Sequence, residues 1–142
     1  MKRFIIITAF SLIVISVYAQ VKSEVSYDSK SKQITLIVTN MFDSKIILSP
    51  PAPGFDSNAC WYKVTWKDAR QQIISSYEGY IYGDSMGCYM PAKSTRTFYI
   101  NMKNENKRVN KIEVLFHIEA RVRGDKTYFT WKDQEFIKVY AY

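Results

Sequence analysis

The sequence predicts an all-β chain folded as a single antiparallel β-sandwich of about seven to nine strands. Three observations carry that expectation. Apolar and polar residues alternate through segment after segment, the period of a half-buried strand. Polar turn clusters separate these segments at spacings of roughly 8–15 residues. No stretch repeats its apolar residues at a helical period, so the helices that parallel βαβ units require are missing from the pattern. The 142 residues, 47% of them hydrophobic and 15% aromatic, suffice for one core. No linker or charge block divides residues 20–142, which read as one domain.

Residues 1–19 read as a signal peptide. Met1-Lys2-Arg3 is a basic start, Phe4 to Ser16 is an apolar run, and Val17-Tyr18-Ala19 fits the small-residue rule for cleavage. The competing reading, an uncleaved anchor, needs a longer apolar run. The expected compartment is therefore secreted or periplasmic, with no membrane span after cleavage. Removing Lys2 and Arg3 leaves 18 basic against 13 acidic residues. The cations are scattered, and the densest group, Lys103 to Lys111, reads as a solvated loop. No nucleic-acid partner is expected.

A first strand is read near Val21 to Tyr27. Gln33 to Asn40 alternates, with Ile34, Leu36 and Val38 on one face. Lys45 to Ser49 is a short apolar strand. Cys60 to Lys67 sets Tyr62, Val64 and Trp66 opposite Trp61, Lys63 and Thr65. Gln72 to Tyr77 and Thr95 to Met102 follow. In Ile112 to Val122 every even position is apolar, which makes it a long strand with Ile112, Val114, Phe116, Ile118, Ala120 and Val122 inward. Arg123-Gly124-Asp125-Lys126 reads as a hairpin turn into Thr127 to Trp131, and Glu135 to Tyr140 closes the set. Thr65-Trp66-Lys67-Asp68 and Thr130-Trp131-Lys132-Asp133 read as two similar exits from strand into turn.

Export gives the cysteines a meaning. In an oxidising compartment Cys60 and Cys88 are expected to pair, closing a loop of about 28 residues worth about 3–4 kcal/mol in the chain-entropy model. Two thiols in the core, or bonds to other chains, are the alternatives.

The strand Ile34 to Asn40, the short apolar strand after it, and the Ala92-Lys93-Ser94-Thr95 turn into Phe98-Tyr99-Ile100 carry a resemblance. In this order they resemble secreted bacterial immunoglobulin-like β-sandwiches, in particular proteinase-inhibitor-like sandwich domains. The resemblance implies the sandwich fold and a binding or inhibitory role without catalysis. Cys60 and Cys88 do not stand in the antibody-type Cys–Trp–Cys arrangement.

The remaining motifs carry little chemistry. His117 is the one imidazole, so a site needing two is excluded, and two cysteines exclude a four-thiolate site. Parity puts His117 beside Glu119 on the outer face, where it reads as a surface histidine. Glu113 and Glu119 stand roughly 20 Å apart along an extended strand, too far to act as a glycosidase pair. Phosphate-loop, dinucleotide, zinc-helix and EF-hand spacings do not occur, and Asp56, Asp84 and Asp125 are isolated. Neither enzyme nor cofactor nor metal is expected.

What remains is aromatic. Tyr77 to Met90 holds four tyrosines and three of the five glycines, a composition that disfavours regular strand and suits an adaptable recognition loop. Pro50-Pro51-Ala52-Pro53-Gly54-Phe55 is a stiff stretch upstream. Phe55, Trp61, Tyr80, Tyr82 and Tyr89 are the candidate binding residues. The expected function is a non-catalytic module that binds or inhibits a protein partner. A glycan-binding module with stacking aromatics and an envelope or structural assembly subunit are the alternatives.

Overall fold

A computed structural model describes residues 20–48, 60–81, 88–123 and 128–142. The signal-peptide reading, and the candidate residues Phe55 and Tyr82, lie outside the described residues. Among the described residues nine strands are present: β1 (Val21–Asp28), β2 (Gln33–Asn40), β3 (Ile46–Leu48), β4 (Trp61–Lys67), β5 (Ile73–Tyr80), β6 (Cys88–Met90), β7 (Thr95–Asn101), β8 (Lys111–Arg123) and β9 (Tyr128–Ala141). They form two antiparallel sheets, one of order β1-β2-β7 and one of six strands built around β8. The described residues contain no helix long and apolar enough to cross a membrane.

The larger sheet is in effect four strand lines wide. β9 takes one edge of β8 along nearly its whole length. The other edge is shared, because β4 pairs with Lys111 to His117 and β3 with Ala120 to Val122. The chain thus leaves this edge at Leu48 and rejoins it at Cys60. The outermost line is broken at the same level. β5 pairs with β4 and β6 with β3, and between them the Ile81 N–H donates to Cys60 O at 3.1 Å while Cys88 faces Leu48. Segments 49–59 and 82–87 therefore depart from adjacent points of one sheet.

Burial follows the alternation that the sequence shows. β2 buries Ile34, Leu36, Val38 and Asn40, and β8 buries every even position from Ile112 to Val122. Phe116 stacks on Phe136 with ring centres 5.0 Å apart, Tyr27 of β1 meets Tyr140 of β9, and Trp66 Nε1 donates to Met102 O at 3.0 Å. These contacts lay β1 over β9 and the end of β7 over β4. The core between the sheets is where most apolar area leaves water, the main favourable contribution to folding.

Asn40 closes this arrangement. It is fully buried at the end of β2, and its Nδ2 donates to Ser44 O, Met90 O and Pro91 O while its Oδ1 accepts from the Phe42 N–H. One side chain ties the exit of β2 to the turn between β6 and β7.

Several expectations need correction. Cys60 and Cys88 are both buried and are not bonded to each other. The Cys60 thiol instead donates to Glu119 O at 3.1 Å and accepts from the Glu119 N–H at 3.4 Å. It serves a backbone unit where the β8–β9 register shifts, between Ile118 and Ala120. That shift also explains why Thr130 to Asp133 is no exit: β9 absorbs an extra residue there as a bulge and continues. Strand structure reaches Tyr80 and resumes at Cys88, inside the segment expected to be loop. Gly79 permits this, since a Cβ there would stand 2.8 Å from the Tyr62 ring that lies over it.

Candidate binding face

The outer face of the larger sheet gathers three of the five candidate aromatics. Trp61 pairs with Tyr80 on β5 and with His117 on β8, and His117 pairs with Glu135 on β9. A row of Tyr80, Trp61, His117 and Glu135 thus crosses the sheet. Four residues further along β8, Tyr89 pairs with Ile47 and Ile47 with Arg121. Alternation with the buried Cys88, Met90, Ile46, Leu48, Ala120 and Val122 puts this second row on the same outer face. The points where segments 49–59 and 82–87 leave the sheet lie between the two rows.

His117 departs from its expected role. It does face outward, but it is only 3% exposed. Trp61 lies on its ring at 5.3 Å, with an angle of 7° between the planes. Glu135 Oε1 is 3.0 Å from Nδ1, and Glu119 Oε2 is 3.6 Å from Nε2. Parity fixed the face correctly, while the indole and two carboxylates supply the cover. The imidazole is clamped between opposed carboxylates, an arrangement that orients the Trp61 indole at the centre of the face.

Tyr89 is 47% exposed, and Lys45 Nζ sits 4.3 Å above its ring. Its carbonyl accepts from Arg96 Nη2 at 3.4 Å. Tyr62, by contrast, belongs to the inner face, where burial first and the neighbouring Tyr77 second raise its phenol above the ordinary tyrosine range. Glu113, compared above with Glu119, is engaged elsewhere, by Lys67 Nζ at 3.0 Å.

Below these rows the face turns aliphatic. Leu115 pairs with Ile137, and with Lys63, Thr65, Ile73, Ser76 and Glu113 they line a shallow groove of about 410 Å³. Ile137 is 58% exposed and Ile73 66%. Sequence reasoning passed over this groove, although the odd-position Leu115, an apolar residue on a polar face, was a signal for it. Among the described residues, no three His, Cys, Asp or Glu side chains are grouped to hold a metal ion. No protein-family model, curated protein or solved structure matches the chain.

Proposed function

We propose that the chain is a secreted, non-catalytic binding or inhibitory module that recognises a protein partner through the outer face of its larger sheet. The observation that carries this reading is the convergence of Trp61, Tyr80 and Tyr89 on that face, around the departure points of two chain segments rich in proline, glycine and tyrosine. Aromatic side chains held on a rigid sheet beside loops provide large contact area at low ordering cost. The leader-like residues 1–19 support export. An immunoglobulin-like class for the sandwich is supported by its connectivity: β1, β2 and β7 adjoin as strands A, B and E do, and β4, β8 and β9 as C, F and G do.

The test is capture of a partner from the exported fraction by the purified protein, followed by Tyr80→Ala and Tyr89→Ala. Truncation of buried aromatic anchors typically costs about 2 kcal/mol or more at a hot spot. The double variant should lose the partner while keeping its melting temperature. Undiminished capture by a folded double variant refutes the assignment of the face.

A second reading has one observation in its favour. Trp61 and Tyr80 are direct cross-strand neighbours, and such a pair offers sugar rings a stacking surface. Affinity electrophoresis against neutral polysaccharides separates the two, since a glycan module is retarded and a protein-binding one is not.

A further inference from the structure

The upper corner of the outer face carries cations that no ion pair among the described residues matches. Arg121 and Arg123 are both exposed and sit two residues apart on β8, so their side chains leave the same face about 7 Å apart. The Arg123 N–H donates to Lys45 O at 3.0 Å, so Lys45 stands across from Arg123 on the neighbouring strand line. Lys45 in turn covers the Tyr89 ring. Several cations elsewhere are matched, Lys22 by Glu24, Lys63 by Glu78, Lys67 by Glu113 and Lys93 by Asp43. Among the described residues, Lys45, Arg121 and Arg123 have no such acidic partner. Like charges facing one another across strands are destabilising, and here three of them surround an exposed tyrosine and Ile47.

Resting on the reading of this chain as a protein-binding module, we infer that the corner formed by Lys45, Arg121, Arg123 and Tyr89 takes an extended acidic segment of the partner, with carboxylates at alternate positions. The spacing argues for this occupant. Alternate side chains of an extended peptide also recur at about 7 Å on one face, matching Arg121 and Arg123. A guanidinium can meet a carboxylate with two parallel hydrogen bonds, which favours arginine at such a site. Tyr89 and Ile47 offer the intervening apolar contact.

The test uses two labelled hexapeptides of identical composition, one alternating Glu and Thr and one with three Glu followed by three Thr, titrated into the purified protein by fluorescence anisotropy. The alternating peptide should bind at least tenfold tighter to the unmodified chain than to Arg121→Glu/Arg123→Glu, and several-fold tighter than its block isomer does. Both arginines are exposed, so the variant should melt no lower than the unmodified chain, which separates lost binding from lost fold. Equal binding of the two peptides, or binding indifferent to the charge reversal, overturns the inference. So does a sulfated polysaccharide that binds more tightly than the alternating peptide and is lost in the same variant, because the corner would then be a polyanion site. If the peptides fail while partner capture persists, only this inference falls. If the unmodified chain captures no partner, the parent reading falls whatever the peptides do.

Discussion

Replacing Asn40 should be among the most damaging single changes in the chain. Its amide has two N–H hydrogens and meets three carbonyl oxygens, at 2.9 Å to Ser44, 2.9 Å to Pro91 and 3.3 Å to Met90. The longer contact therefore shares a hydrogen with one of the shorter ones. The Phe42 N–H adds a fourth bond, at 2.9 Å. Asn40→Ala removes four hydrogen bonds to main-chain groups, each costing about 1–3 kcal/mol where the group is left dry and unpaired, though Pro91 O keeps the Ser94 N–H and Oγ as donors. Three of the four bonds are only partly buried, so water can replace some of them, and the net loss should be about 3–4 kcal/mol. Against a total stability of about 5–15 kcal/mol this is severe, and it should lower the melting temperature by about 10–20 °C. Asn40→Asp sharpens the test. Burial and the facing carbonyl oxygens raise the new carboxyl's folded pKa above the unfolded value of about 3.9. Below that value the acid is protonated in both states, and its O–H still donates to one carbonyl. As pH rises the unfolded chain ionises first, so the penalty grows until the folded pKa is passed. Urea unfolding followed by tryptophan fluorescence at pH 3.5 and pH 7 measures both effects. An Asn40→Ala cost below about 1 kcal/mol, or an Asn40→Asp variant no more pH-sensitive than the parent, would refute the argument.

Trp66→Phe keeps the ring in the core but strands the buried Met102 carbonyl that Nε1 serves, and should cost about 1–3 kcal/mol by denaturant titration. Gly79→Ala drives a Cβ to 2.8 Å from Tyr62 Cζ and Oη and 2.9 Å from Tyr77 Cε1, so about 1–3 kcal/mol should be lost and the near-ultraviolet dichroism of the tyrosines should change. Unfolded without reductant, the protein should react with alkylating reagent at both Cys60 and Cys88, whereas the folded protein, with both thiols buried, should react slowly at either. A mass matching one intramolecular bond would contradict the unbonded arrangement.

How much of this was legible in the sequence depends on which question a residue answers. Alternation tells which face of a strand a side chain takes, and it placed Ile34, Leu36 and Val38, and Ile112 to Val122, without error, because a sheet with one buried face imposes a period of two. It is silent about which strands are collinear. Nothing local in Lys45 to Ser49 or Cys60 to Lys67 shows that β3 and β4 share one edge of β8, since that is a property of the partner strand. Cys88–Met90 was missed for a related reason. Three residues are too few to show a period, and the glycines around them argue for loop until pairing with Ile46 to Leu48 overrides it.

The cysteines and His117 show where type-based reasoning stops. Two cysteines in a chain read as exported suggest a bond, but Cys60 stands where β4 gives way to β3 along the edge of β8, and Glu119 needs hydrogen-bond partners there for its main chain. A thiol can supply both a donor and an acceptor there, and that requirement is invisible without the register. His117 was placed on the outer face by parity, and it is there. Its burial depends on what stands beside it on β4 and β9, namely Trp61 across one strand gap and Glu135 across the other. The same pairing that hides the histidine fixes Trp61 flat against it and sets Tyr80 alongside. The aromatic surface was therefore readable as composition, while its position followed from the cross-strand register. A change at Glu135 or His117, neither of them a candidate binding residue, should consequently disturb partner capture by letting the indole move, even with Tyr80 and Tyr89 left in place.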